Sequence, residues 1–143
     1  MTSSGGGPAA VEFGDRLDGV DWAALKAALA ADRFDNGRTP DQLRRSFENS
    51  HASCLARIAG DIVGTARVLS DGVCNAYLID VWTRSDVRRR GIAREMVRRL
   101  CAGLPGQHVY LQTDEADFYR TLGFADQPTG MSRVIGTWLR SDG

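Results

Sequence analysis

Ala76-Tyr77-Leu78-Ile79-Asp80-Val81-Trp82-Thr83, then Arg84-Ser85-Asp86-Val87, then Arg88-Arg89-Arg90-Gly91-Ile92-Ala93 and the run Arg94 to Leu104, form the stretch that decides the fold. The first part is apolar and rich in β-branched and aromatic residues, as a strand requires. The last part repeats Ile92, Met96, Val97, Leu100, Cys101 and Leu104 at helical spacing. Between them lies a short basic turn with one glycine. A helix that begins there leaves its first N–H groups without helical acceptors and aims them, with the positive end of its dipole, at one point in space. That arrangement predicts an anion site.

Working outward, the chain has 143 residues, 18 basic and 18 acidic, for a formal charge of zero. The length suits a single domain with one core. Zero net charge provides no global attraction to nucleic acid or to an anionic membrane. The positive charge is local: Arg88, Arg89, Arg90, Arg94, Arg98 and Arg99 crowd one segment, with no aromatic residue among them to stack on bases. Cys54, Cys74 and Cys101 lack CxxC spacing, and His51 and His108 have no partner at ligand spacing, so no metal is expected. Free thiols, no apolar run near the ~20 residues of a membrane span and no signal pattern predict a soluble cytoplasmic protein without a membrane partner.

The flanking chain reads as alternating elements. Residues 1–10 are expected to be a flexible tail ahead of a domain over 11–140. Ala10 to Phe13 is a first strand; Asp21 caps a helix over Trp22 to Ala31; Thr39-Pro40-Asp41-Gln42 opens a second helix, to about Asn49, with a capping box. Ala52 to Ile58 and Ile62 to Leu69 are strands joined by a hairpin turn, and Ser70-Asp71-Gly72 leads into Cys74 to Thr83. After the central helix, His108 to Gln112 is a fifth strand, placed parallel to its predecessor by a right-handed crossover. A short helix, Glu115 to Leu122, and a last strand, Met131 to Leu139, complete the reading.

Arg88-Arg89-Arg90-Gly91-Ile92-Ala93 fits Arg/Gln-x-x-Gly-x-Gly/Ala, and it is neither Gly-x-x-x-x-Gly-Lys-Ser/Thr nor Gly-x-Gly-x-x-Gly. From about Val20 to Trp138 the chain resembles the GNAT superfamily of acetyl-CoA-dependent N-acetyltransferases. Thr83 to Ala93 is similar to the family's pyrophosphate loop, and Phe118-Tyr119-Arg120-Thr121-Leu122-Gly123-Phe124 to its second signature. Ala76 to Val81, Gly37-Arg38, Asn49-Ser50 and Val63 to Val68 resemble a compact bacterial branch. Thr83 and Ser85 replace a usual valine and proline, and Arg89 and Ala93 stand where glycine is common.

The resemblance implies a single α/β (α+β) domain with a mixed, mostly antiparallel sheet of about six to seven strands and about four helices, parallel strands four and five splaying apart. It implies acetyl-CoA as cosubstrate. The N–H groups around Arg88, Arg89, Arg90, Gly91, Ile92, Ala93 and Arg94 would hold the pyrophosphate, and the backbone of Val81, Trp82 and Thr83 the pantetheine arm. Arg88 and Arg89 also suit charge-assisted contacts to phosphate.

Acetylation needs a neutral amine, and one with pKa ~10.4 is almost wholly protonated at pH 7. The departing thiolate needs a proton, which a phenol can give. By the family parallel Tyr119 is the candidate general acid; by its residues alone it is a packing residue. Asp80 interrupts an apolar strand, so it is a base, a substrate ligand or the partner of an ion pair, for instance with Arg67. A water chain without a dedicated base is the other option. The family topology points to Phe34, Arg38 and Ser50 as acceptor contacts, Arg38 suiting a carboxylate-bearing amine. The leading reading is an N-acetyltransferase for a small primary amine, working by direct attack in a ternary complex as a monomer or homodimer. The alternatives are a peptide or protein N-acetyltransferase, or a non-catalytic acyl-CoA-binding or nucleic-acid-binding module.

Overall fold

The structure is a computed structural model that describes residues 10–139; the tail expected over 1–10 lies, but for Ala10, outside the described residues. Strand β1 (Val11–Gly14) is followed by helices α1 (Trp22–Ala31) and α2 (Pro40–Glu48), then strands β2 (Ala52–Ile58), β3 (Asp61–Ser70) and β4 (Asn75–Thr83). A 3-10 turn over Ser85–Val87 leads to α3 (Ile92–Ala102), β5 (His108–Tyr110) and α4 (Ala116–Arg120). The strands form one sheet in the order β1-β2-β3-β4-β5, antiparallel except for the β4–β5 pair.

The helix starts follow the expected chemistry. Asp21 accepts the Ala24 N–H at 3.0 Å, and Thr39 and Gln42 exchange both capping-box bonds, at 2.9 and 3.1 Å. Helices α1 and α2 cover one face of the sheet through Leu25, Leu29, Leu43 and Phe47, which pack on Leu55 and Trp82. On the other face, Ile92, Met96, Val97 and Leu100 of α3 pack on Ala56, Val63, Ala66, Val68, Ala76 and Leu78. Two apolar layers on one twisted sheet account for the continuous burial along β3, in contrast to β4, where buried and partly buried residues alternate.

The expectation of six to seven strands is corrected: five are present among the described residues. Met131 to Leu139 makes no strand and is exposed throughout. Val134 and Ile135 are adjacent, so no two-residue period points one set of side chains inward. Thr129 and Gly136 take positive φ, 68° and 71°, and break the extended path on either side of those residues. The fifth strand is likewise shorter than its expected span and stops at Tyr110.

Candidate active site

The site is set by how β4 leaves its neighbours. β4 and β5 pair over Asn75–Tyr77 with His108–Tyr110 and no farther. From Leu78 to Thr83, β4 continues beside β3 while no strand of the described residues lies on its other side. Because β5 ends at Tyr110, the edge of β4 beyond Tyr77 has no strand partner on that side among the described residues.

A bulge interrupts β4 in that stretch. The β3–β4 register shifts between Thr65 and Arg67, and Asp80 takes φ 56°, a left-handed conformation for a non-glycine residue. The extra residue transfers the pleat from one face to the other. Ala76 and Leu78 pack toward α3, whereas Trp82, which an unbroken pleat would place on the same face, packs against α1 and α2. Val81 in turn joins the α3 side.

Asp80 is held in that conformation from three sides. Arg38 donates from Nη1 to Oδ2 at 2.9 Å and from Nη2 to Oδ1 at 3.2 Å; Arg67 donates from Nε to Oδ2 at 2.6 Å. Thr65 donates its hydroxyl to the Asp80 carbonyl at 2.8 Å. Asp80, Arg38 and Arg67 are 7%, 5% and 8% exposed, so this is a buried cluster of two cations on one carboxylate. Arg38 also donates from Nε to the Asp35 carbonyl at 3.1 Å, and Ser50 accepts from Arg67 Nη1 at 3.3 Å. Of the residues expected to touch the acceptor, Arg38 and Ser50 thus belong to the network around Asp80, while half-buried Phe34 packs beside α1 and α2. The Arg67 partner weighed for Asp80 from the sequence is present, and Arg38 is a second one that spacing did not reveal.

Thr83 ends β4. Its hydroxyl oxygen is shielded from solvent and has no hydrogen-bond partner among the described residues, while its carbonyl accepts Arg88 Nε at 3.1 Å. Beyond it the loop bends at Arg89, φ 67°, and Gly91, φ 78°. Gly91 occupies the N-cap position of α3, where no side chain caps the helix. The first helical bond runs from Glu95 N–H to the Gly91 carbonyl at 3.1 Å, so the N–H groups of Ile92, Ala93 and Arg94 lie ahead of it, open to a ligand. A Cβ built on Gly91 meets nothing within 4 Å, so the space before the helix is open. Uncapped N–H groups on an 11-residue helix, an open approach and exposed Arg88, Arg89 and Arg90 fit a diphosphate.

The C-terminal side of the site is tied to the same helix. Arg94 donates to the Thr121 hydroxyl at 2.9 Å, joining the start of α3 to the end of α4. Tyr119 packs edge-on to Phe118 and Phe124, with ring centroids 4.9 and 5.7 Å apart. Burial, with a smaller effect from nearby Glu115, pushes the Tyr119 phenol up to about 12. It is therefore a proton-bearing group at any ordinary pH. Tyr119 also lines a cleft of about 1260 Å³ along the free side of β5, together with Tyr77, Tyr110, Leu122 and Phe124. The loop from Arg88 to Ala93 does not line that cleft.

Comparison with known proteins agrees with this geometry. The model of the acetyltransferase (GNAT) family matches residues 22–124. Serotonin N-acetyltransferase 2, chloroplastic, of Oryza sativa subsp. japonica is 35% identical over 119 residues, a match that covers 77% of this chain and 59% of the rice protein. Among solved structures, a Deinococcus radiodurans R1 protein assigned as an acetyltransferase superposes with TM-score 0.76 at 27% identity, over 86% of this chain and 87% of that one. A GNAT protein of Xanthomonas campestris pv. campestris has the same fold, with TM-score 0.76 at 23% identity over 90% of this chain and 96% of its own. The unpaired edge of β4, the uncapped helix start and these matches lead to one conclusion: the chain belongs to the acetyltransferase (GNAT) family.

Proposed function

We propose that the protein transfers an acetyl group from acetyl-CoA to the primary amine of a small molecule, by direct attack in a ternary complex. The observation that carries this reading is the edge of β4 beyond Tyr77, which has no strand partner on the β5 side among the described residues and leads through the loop to the open N-terminus of α3. Acetyl-CoA supplies the activated acyl group. In this reading the N–H groups from Arg88 to Arg94 hold its pyrophosphate and the free edge of β4 at Val81 to Thr83 binds the pantetheine amides.

Tyr119 serves as the general acid. A phenol held near 12 is protonated throughout the working range and can hydrogen-bond a departing thiolate as charge develops on it. A full proton transfer to a thiolate of ordinary pKa ~8.5 would be uphill by several kcal/mol, so its contribution is donation concerted with C–S cleavage. Asp80 and Arg38 are assigned to the scaffold rather than to the acceptor: both carboxylate oxygens are engaged by buried guanidinium groups, and every Arg38 nitrogen has an acceptor. The amine proton then leaves through water. Free Cys54, Cys74 and Cys101 support a reducing, cytoplasmic setting.

The test is to mix purified protein with acetyl-CoA and a panel of amines that includes serotonin, aliphatic diamines and an N-terminal peptide, and to follow free thiol. Amine-dependent thiol release with a small amine, and little with the peptide, is the expected result. Failure to bind acetyl-CoA overturns the reading.

A further inference from the structure

Asp32 belongs to none of the roles assigned so far. It is the C-cap residue of α1, where its backbone N–H satisfies the last turn through Leu29. Its side chain does nothing for that helix, because a carboxylate faces the negative end of the α1 dipole there and is disfavoured. Yet it is buried to 12% exposure, and the groups that face it all lie 50 or more residues farther along the chain. One oxygen, Oδ2, accepts the Trp82 indole N–H at 2.8 Å and the Ser85 backbone N–H at 3.3 Å, and lies 3.8 Å from Arg88 Nη2. These partners are the end of β4, the start of the loop and the first of the three consecutive arginines in it.

Arg88 thereby makes two contacts on this side. Its Nε donates to the Thr83 carbonyl at 3.1 Å, and its Nη2 faces Asp32. Both contacts use one edge of the guanidinium, and the side chain remains 55% exposed. A planar group engaged along one edge presents the other edge outward.

We propose that Asp32 is a positioning residue that acts through Arg88, orienting its guanidinium toward the anion bound by the loop. The inference rests on the loop being the pyrophosphate site. It makes the C-terminus of α1 a support for cosubstrate binding, a position without any recognition motif. Asp32 touches no reacting atom.

The experiment is a double-mutant cycle on acetyl-CoA binding, measured by calorimetric titration with the wild type, Asp32→Asn, Arg88→Met and the double variant. Asparagine retains an oxygen for Trp82 and Ser85 and removes the charge that faces Arg88. Asp32→Asn should weaken binding about five-fold, Arg88→Met by a similar or larger factor, and the double variant no more than Arg88→Met alone. In a background with Trp22→Phe and Trp138→Phe, unchanged Trp82 emission in Asp32→Asn shows that the β4 contact persists. Wild-type affinity in Asp32→Asn, or independent, multiplying losses in the double variant, overturns the proposal. Should Asp32→Asn fail to fold, Asp32→Glu replaces it, and an unchanged affinity when the charge is displaced by one methylene overturns it equally. A wild type that binds no acetyl-CoA is a different result, because it removes the function on which the inference rests.

Discussion

Arg38 and Asp80, 42 residues apart in the chain, meet through two parallel hydrogen bonds of 2.9 and 3.2 Å inside the protein. The pair links the loop that enters α2 to the bulge in β4, and Arg67 adds a second cation to the same carboxylate at 2.6 Å. Removing that carboxylate leaves two buried guanidinium groups without a counter-ion. Asp80→Ala should therefore lower unfolding stability by about 3–5 kcal/mol, measured by equilibrium denaturation. A carboxylate whose task was catalysis alone would give a variant that is inactive but nearly as stable as the wild type.

Tyr119→Phe should retain the fold, since the ring contacts with Phe118 and Phe124 survive, and should lower kcat about 100-fold or more with little change in KM for acetyl-CoA. The pH profile adds a sign. Because burial pushes the phenol up to about 12, its acid form stays loaded as pH rises, and activity should climb with amine deprotonation without an alkaline limb below about pH 10. A limb near 8 would transfer the acid role to another group.

Gly64 determines how closely α3 approaches the sheet. A Cβ there would meet Ile92 Cγ2 and Met96 Cε at 3.1 Å and Ala56 Cβ at 3.3 Å. Ile92 and Met96 are core residues of the first turns of α3, so Gly64→Ala presses on the segment that presents the loop. The expected loss is about 1–3 kcal/mol of stability. Met96→Ala in the same chain makes room, so the double variant should lose less than the sum of the two single losses; strict additivity would place the strain elsewhere.

Much of this architecture was legible in the sequence because it depends on local chemistry. Asp21 and the Thr39 capping box fixed two helix starts, and Ala52–Ile58 was readable to the residue from its bounding turn signals. Gly91 before an apolar helical run indicated a helix start for the same reason, and α3 begins at Ile92. The bulge was not legible. A two-residue period assumes an unbroken pleat, and nothing in Leu78-Ile79-Asp80-Val81-Trp82 announces that Asp80 adopts φ 56° and moves Trp82 to the opposite face. Only the partners of Asp80 explain it, and Arg38 and Thr65 are remote in sequence. Asp32 was missed likewise, since a carboxylate at a helix end reads as solvated surface until Trp82 and Ser85 are brought to it. Met131 to Leu139 lacks the alternation a strand needs, since Val134 and Ile135 are adjacent, and it forms none.

Asp71 provides a last prediction, at the turn that begins β4. Its Oδ1 accepts the N–H groups of Val73 and Cys74 at 2.8 Å and of Asn75 at 3.2 Å, and Asn75 is where β4 first pairs with β5. These bonds, the one from Cys74 foremost, hold the carboxyl below its ordinary pKa. A lowered folded value means that the folded state binds fewer protons than the unfolded chain. The stabilisation is therefore complete above the unfolded value of ~3.9 and is lost as pH falls through the lowered one. Asp71→Ala should melt below the wild type at pH 7, and the gap should narrow steadily from about pH 4 downward. Asp71→Asn, which retains an oxygen acceptor without titrating, should melt between the two at pH 7 and keep a gap to Asp71→Ala that does not depend on pH. A gap between wild type and Asp71→Ala that stays constant down to pH 2 would show that the turn needs the side chain's shape and not its charge.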